Sequence, residues 1–228
     1  MKQVLKAFRR GLARVPRNRS GVAAVEFALG LPLLLSVGLW GTELGNLAIT
    51  HMRVSQLAMH IADNGSRIGD VSMLENLKIY ESDINDNLMG AQIQAGGLDL
   101  FEHGRVIMSS LEVVDGTEDT QYIHWQRCKG KRNVQSAYGP AGTGTDGSLD
   151  GMGPAGDEVT ASAGDAVIFV EIEYEYQPLV SAQFVPNTVI RSTAAFNVRD
   201  DRDLTQIYQR DAGSPDPVAS CNVYDGYA

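Results

Sequence analysis

One apolar stretch near the N-terminus restricts this chain more than any other feature. It covers the 21 residues 22–42 and contains a single charged side chain, Glu26. As an α-helix the stretch is about 31 Å long at about 1.5 Å per residue, which matches a bilayer hydrocarbon core of about 30 Å. The sequence therefore predicts a transmembrane helix over residues 22–42.

The charges on the two sides of the stretch predict its orientation. Residues 1–20 hold seven Lys and Arg and no acidic residue, whereas the rest of the chain holds twelve basic against 28 acidic residues. Flanks rich in Lys and Arg stay in the cytoplasm. We therefore expect residues 1–21 to form a cytoplasmic leader and residues 43–228 to form an exported domain. An acidic body also argues against nucleic acid as a ligand.

Two other interpretations of the stretch are weaker. A cleaved secretory signal also begins with basic residues and an apolar run, but this run is long and no A-x-A site follows it. A buried core helix does not explain why the basic flank lies on one side only.

Glu26 needs a partner, because a carboxylate in a membrane helix costs on the order of 2.5–3.5 kcal/mol at mid-bilayer and less near the interface. If the chain were cut after Gly21, Val22 would carry a new α-ammonium group and Glu26 would be the fifth residue. The ammonium of one subunit could then pair with Glu26 of the next. This hypothesis makes Glu26 a subunit-pairing residue whose charge is neutralised only in an assembly.

The same residues resemble a known processing pattern. A basic leader ending in Gly, four mostly apolar residues, Glu and a long apolar helix are typical of type IV prepilins. The sequence GVAAVEFALGLPLLL is similar to the start of TadE-like pilus assembly proteins, the pseudopilins of the tight-adherence (Flp-type) system. The resemblance covers about residues 17–65 and depends on Gly21, Glu26 and Pro32 at fixed offsets.

The resemblance implies a function and a set of partners. A prepilin peptidase would cut between Gly21 and Val22, Glu26 would be the family glutamate, and Pro32 would be the family proline that kinks the helix. The chain would be a single-pass protein of the bacterial inner membrane with a periplasmic C-terminal domain. It would act with other pilins and the pilus assembly machinery in pilus biogenesis and surface adhesion, and the extracellular pilus could incorporate it.

The chain departs from the family pattern in two ways. Its mature form would begin with Val22, whereas many type IV pilins begin with Phe or Met, so the resemblance does not extend to N-methylation. Its body is much larger than that of a major pilin of this system, which favours a minor or accessory subunit.

Helical spacing continues beyond the membrane stretch. Apolar residues recur every seven positions at Leu47, Val54, Ile61 and Ile68, which predicts an amphipathic helix that ends near residues 65–69. In a pilin-like architecture, residues 22 to about 69 would form one long stem, interrupted or bent around Gly30 and Pro32. A short anchor followed by a separate surface helix is the alternative. Residues 72–90 show similar spacing and predict a second helix, with Ser72 as its cap and Gly90 at its end.

Four later segments are rich in β-branched and aromatic residues, as strands are. They are residues 105–114, 122–127, 165–176 and 188–199. Helices followed by antiparallel strands predict an α+β fold, in which a long N-terminal transmembrane helix precedes a second helix and an antiparallel β-sheet head.

Residues 139–164 contain many glycines and predict a flexible, exposed loop within the periplasmic domain. The loop has no phosphate-binding motif. Asp146, Asp150 and Asp157 lack the regular spacing and the late Glu of a calcium-binding loop. We therefore expect neither a metal nor another cofactor there.

The chain has two cysteines, Cys128 and Cys221. In an oxidising periplasm two lone cysteines are expected to form a disulfide with each other. Two unpaired thiols and a bond to another subunit are the alternatives.

No pattern of catalytic residues is present in the sequence. The four histidines are scattered, and no H-E-x-x-H or G-x-S-x-G motif occurs. The basic residues Arg127, Lys129, Lys131 and Arg132 are more easily explained as a solvated loop than as a contact with a neighbouring subunit. We expect no enzymatic activity and no small-molecule substrate. The competing function is an uncleaved, inner-membrane-anchored periplasmic binding or scaffold protein.

Overall fold

The computed structural model describes residues 21–69, 76–199 and 201–226, so the predicted leader up to residue 20 lies outside the described residues. Helix α1 (Val22–Arg67) is a single α-helix of 46 residues, hereafter the stem. It passes through Gly30 and Pro32 without a break, so the predicted interruption and the alternative of a separate anchor are both wrong. The hydroxyl of Ser36 donates to the carbonyl oxygen of Pro32 at 2.7 Å. A kink at Pro32 stays a prediction.

Helix α2 (Glu81–Ala95) begins and ends later than the prediction of 72–90. The predicted cap Ser72 lies outside the described residues, and the carboxylate of Asp83 instead accepts a hydrogen bond from the backbone N–H of Tyr80 at 3.2 Å. Gly90 does not end the helix, which is followed by Gly96 with a φ of 52°. A short 3₁₀ turn (Gly96–Leu98) and helix α3 (Leu100–His103) then lead into the sheet.

Four antiparallel strands form the sheet, which confirms the predicted α+β fold. They are β1 (Gly104–Val113), β2 (Gln121–Lys129), β3 (Ala166–Glu175) and β4 (Val189–Asn197), in the spatial order β2-β1-β3-β4. Strands β1 and β3 occupy the centre, where Val106 pairs with Ile172 and Met108 with Val170. The four strands, α2, α3, their connections and the chain after β4 are hereafter called the head.

The upper part of the stem packs on one face of this sheet and so belongs to the head's main core. Buried apolar residues of the stem, of α2 and of β3 meet there: Val54, Leu57, Ala58, Ile61, Ile84, Leu88, Ala91, Ile168, Val170 and Ile172. A Cβ added at Gly65 would lie only 3.0 Å from Cγ2 of Ile168, which shows how closely the stem approaches β3. At the other end of β3, Asn46 donates to the hydroxyl of Tyr176 at 2.7 Å. The stem therefore runs antiparallel to β3.

The glycine-rich segment 139–164 covers part of the opposite face of the sheet. Met152 is completely buried, and it packs with Ile123 and Phe169 in a second apolar cluster. Its backbone exchanges hydrogen bonds with Val159 at 3.0 and 2.8 Å. The predicted exposure is correct for glycines such as Gly142, but it is wrong for this part of the loop, because apolar residues between the glycines reach the sheet.

The C-terminal segment 201–226, hereafter the tail, lies first beside the residues before α2 and then, from Ala219, beside the end of β2. Cys128 and Cys221 are linked by a disulfide with their Cα atoms 4.7 Å apart. The backbone N–H of Cys128 donates to Ala219 at 2.8 Å, and the buried guanidinium of Arg105 donates to the carbonyl oxygen of Cys221 at 2.6 Å. These contacts fix the tail against a strand edge that would otherwise be unpaired.

Candidate functional site

The lower part of the stem, residues 22–42, carries its apolar side chains exposed in all directions. None of the most apolar window is buried within the chain, and Leu34 in its middle is 73% exposed. Removing a Leu, Val or Phe side chain from water is worth about 1.5–3 kcal/mol. This surface therefore requires lipid or other helices around it, and the single N-terminal apolar helix supports a single-pass membrane protein.

The predicted processing pair lies at the N-terminal end of this helix. Gly21 is exposed and precedes the first α-helical residue, Val22. A Cβ added at Gly21 would meet no atom within 4 Å. A small substitution at residue 21 therefore leaves the fold unchanged, and its effects on processing can be read without interference from folding.

Glu26 lies one turn above Val22 on the same face of the helix, because residues four positions apart are neighbours on a helix surface. Its side chain projects from the exposed part of the stem. Among the described residues, no cation forms an ion pair with Glu26. The geometry thus brings the α-carbon of Val22 and the carboxylate of Glu26 to one face of the stem, where a second subunit can reach both.

The structure shows one buried polar position that sequence reasoning missed. Glu43, the residue after the apolar stretch, is completely buried at the junction of stem and head. Its carboxylate accepts hydrogen bonds from the hydroxyl of Tyr176 at 2.5 Å and from the backbone N–H groups of Leu179, Val180 and Ser181 at 3.1, 2.6 and 3.3 Å. Four donors from the chain around residues 176–181 thus hold one carboxylate of the stem.

Hydrogen bonding determines the ionisation of this carboxylate. Burial raises the pKa of Glu43, but the hydrogen bonds from Tyr176 and from the three backbone N–H groups outweigh burial and lower the pKa below its usual value. Burial raises the pKa of the Tyr176 hydroxyl, and its hydrogen bond to Glu43 raises it further. Glu43 is therefore an anion with a neutral phenol as its partner at neutral pH.

The comparisons with known proteins concern the same stem. Residues 21–63, about a fifth of the chain, match the family model described as TadE-like protein. This segment is TadE-like. The TadE-like segment contains Gly21, Glu26, Pro32 and Glu43, so it covers the exposed part of the stem and its junction with the head. No curated protein and no solved structure matches the chain.

The basic residues 127–132 form ion pairs within the chain. Arg127 and Lys129 lie on β2 and not in a loop, which corrects the expectation for them, whereas Lys131 is half exposed in the segment after β2, as expected of a solvated loop. Each of the four cations forms an ion pair with an acidic residue of the head: Arg127 with Glu81, Lys129 with Asp225, Lys131 with Glu102, and Arg132 with Glu173 and Glu175. These pairs link β2 and the segment after it to α2, α3, β3 and the tail. They explain the basic run as part of the head's own structure.

One cluster of polar side chains resembles a catalytic arrangement only in composition. His124 contacts the carboxylate of Glu112 at 2.9 Å, and the hydroxyl of Ser110 donates to the same carboxylate at 2.6 Å. Ser110 is bound to the acid and not to the imidazole, so His124 is not placed to activate the hydroxyl as a nucleophile. Among the described residues, no group of three or more His, Cys, Asp or Glu is placed to hold a metal ion.

Proposed function

We propose that the chain is a minor pseudopilin of a tight-adherence (Flp-type) pilus. The observation that carries the proposal is the TadE-like match over residues 21–63 on a stem whose lower part is exposed on every side. The TadE-like family indicates a role in pilus assembly. A non-catalytic role as a filament or assembly subunit accounts for both the exposed helix and the compact head.

In this proposal a prepilin peptidase removes the basic leader by cutting between Gly21 and Val22. The new ammonium group of Val22 in one subunit then pairs with Glu26 of its neighbour. Assembly moves the stem from lipid into a bundle of similar helices, and both environments are apolar. The buried charge pair therefore acts mainly on alignment between subunits, since such pairs specify register more reliably than they add stability.

The proposal places the leader in the cytoplasm and the head in the periplasm. The seven basic residues before the stem and the acidic composition of the rest support this orientation. A disulfide between Cys128 and Cys221 also fits an oxidising compartment. Because cleavage removes residue 2, the test uses the uncleaved Gly21→Ala variant with a cysteine introduced at residue 2 or at residue 93, and a membrane-impermeant thiol reagent on intact cells. Reaction at residue 2 would refute the orientation.

Mass spectrometry of the mature N-terminus tests the processing step. A chain that begins at Val22 supports the pseudopilin, a start at Met1 supports an uncleaved scaffold protein, and a start near residue 45 supports a secretory signal. Gly21→Ala should abolish cleavage without affecting the fold, because residue 21 has open space around it. A Val22 start in the Gly21→Ala variant would contradict processing by a prepilin peptidase.

A substitution in the stem tests the assembly step. Glu26→Ala should leave membrane insertion and cleavage unchanged but reduce pilus formation, whereas Glu26→Asp should retain part of it. Normal numbers of pili in cells that carry only Glu26→Ala would rule out the pairing role. A matched control is Ser36→Ala, which removes a polar side chain from the same exposed helix and leaves the charge pair intact.

A further inference from the structure

We propose that residues 177–187, hereafter the junction loop, lie on the outer surface of the bilayer and insert the side chains of Leu179 and Val180 into its interfacial region. The proposal rests on the membrane-spanning stem and gives the chain a second contact with lipid. Through this loop the head would stay in contact with the membrane surface before assembly.

Glu43 places the junction loop at the depth where the hydrocarbon ends. The apolar stretch ends at residue 42, and the Glu43 carboxylate binds the backbone N–H groups of Leu179 at 3.1 Å and Val180 at 2.6 Å. These two residues therefore lie within a side-chain length of the upper boundary of the span. Trp40 is exposed less than one turn below Glu43, as expected for an aromatic residue at a membrane interface.

The amino-acid composition of the junction loop suits contact with lipid. It contains no charged side chain over residues 177–187, although the chain outside the leader is strongly acidic. Leu179 is 65% exposed and Val180 is 37% exposed, side by side on this uncharged segment. An apolar pair flanked by uncharged polar residues suits the interface, whereas acidic residues there would be repelled by anionic lipids.

The hydrogen bonds to Glu43 also provide partners for backbone N–H groups that would otherwise be unpaired near the hydrocarbon. Backbone N–H groups that approach hydrocarbon without a hydrogen-bond partner are strongly destabilising. The carboxylate accepts from three consecutive residues of the loop, 179–181. The loop can therefore lose water from this part of its backbone without leaving these donors unpaired.

Parts of the described head that pack higher on the stem lie too far from the span to make the same contact. The 3₁₀ turn Gly96–Leu98 lines a cleft beside Leu57, which is fourteen residues above Glu43 and so about 21 Å farther from the membrane. The start of β3 lies beside Gly65, higher still. At the other end of β3, Tyr176 and the junction loop bind Glu43 directly, so this end of the sheet is the one nearer the membrane.

Spin-label accessibility on the full-length chain in vesicles of phosphatidylethanolamine and phosphatidylglycerol tests the inference. Three variants, Leu179→Cys, Ile93→Cys and Leu34→Cys, each carry one nitroxide. Wild-type chain treated with the same reagent verifies that the native cysteines do not react. Ile93 is the matched control, since it is an apolar residue of the head that is 74% exposed, and the next residue, Gln94, lines the same cleft as Leu57. The ratio of collisions with oxygen to collisions with a water-soluble nickel chelate should be several-fold higher at residues 34 and 179 than at residue 93.

Each result has a definite meaning. A ratio at residue 179 equal to that at residue 93, with residue 34 in lipid, overturns the inference and leaves the membrane span intact. A ratio at residue 34 equal to that at residue 93 overturns the span itself. If the label at residue 179 is exposed to water in vesicles but shielded in assembled pili, the loop contacts a neighbouring subunit. This result also contradicts contact with lipid.

Discussion

Replacing Tyr176 with Phe removes one hydroxyl from the junction of stem and head and leaves the apolar packing of the ring. The hydroxyl donates to Glu43 at 2.5 Å and accepts from Asn46 at 2.7 Å, and the residue is 3% exposed. A hydrogen bond to a charged group contributes about 1.5–3 kcal/mol to stability. The substitution also leaves the side-chain amide of Asn46 without its acceptor, which adds to the loss. We expect Tyr176→Phe to lower the free energy of unfolding by about 2–4 kcal/mol.

The matched control lies on the same strand. Tyr174 is also buried, and its hydroxyl donates to the neutral carbonyl oxygen of Leu98 at 2.9 Å. Burial raises the pKa of this hydroxyl to about 12, so it too is un-ionised. Because its partner carries no charge, Tyr174→Phe should cost only about 0.5–1.5 kcal/mol.

Urea unfolding of the full chain in detergent micelles, followed by the fluorescence of the buried Trp125, measures both losses. With a slope of about 1–3 kcal/mol per molar urea, the Tyr176→Phe midpoint should fall by about 0.7–4 M, or about 1.5 M at the middle of both ranges. Equal losses in the two variants, or a loss below about 0.5 kcal/mol for Tyr176→Phe, would refute a junction held by a charged hydrogen bond.

Three further predictions concern charge and covalent structure. The lowered pKa of Glu43 means that its contribution to stability is present above the ordinary carboxyl pKa of about 4.3 and is lost as pH falls through the lower folded pKa; acid unfolding of Glu43→Gln should lack this component. The hydrogen bond that His124 donates to Glu112 raises the pKa of His124, so its contribution to stability is complete below pH of about 6.5 and is lost as pH rises through the folded pKa; His124→Gln should flatten the dependence of urea midpoints on pH between about 6 and 8, and an unchanged slope would count against the pair. The disulfide closes a loop with a sequence separation of 93, so changing Cys128 and Cys221 to Ser should lower the free energy of unfolding by at most about 4–5 kcal/mol; reductant should destabilise the wild type but not the double variant, and free thiols in the untreated wild type would contradict the bond.

The sequence predicts well those elements whose signal is periodic and local. The seven-residue spacing of Leu47, Val54 and Ile61 indicates the stem beyond the membrane, and the observed helix ends within two residues of the predicted limit. Each of the four predicted strands overlaps an observed one closely, because β-branched and aromatic residues are concentrated there.

Features that depend on distant partners could not be predicted. Residues before α2 are extended because Leu77 and Tyr80 pair with Arg202 and Tyr208 of the tail, more than a hundred residues away. The same applies to Glu43, whose partners lie more than 130 residues later in the chain. A carboxylate that directly follows an apolar stretch is ordinarily exposed to solvent, and only the fold shows that the Glu43 side chain is buried.

A rigid junction also determines which face of the stem stays free for assembly. Residues 26 and 44 are eighteen positions apart, which is five turns of about 3.6 residues, so Leu44 lies directly above Glu26 on a regular helix. Leu44 is exposed, and so are Ala48 and His51 one and two turns higher. The head covers the stem on the side of Glu43 and Val54, about a quarter turn or more away. A neighbouring stem can therefore lie along the Glu26 face for about 37 Å, from residue 26 to residue 51, without meeting the head of the same chain. The proposed pairing between Glu26 and a neighbour's Val22 would require such an open face, and a head fixed by Glu43 would keep it open during the proposed transfer from lipid to filament.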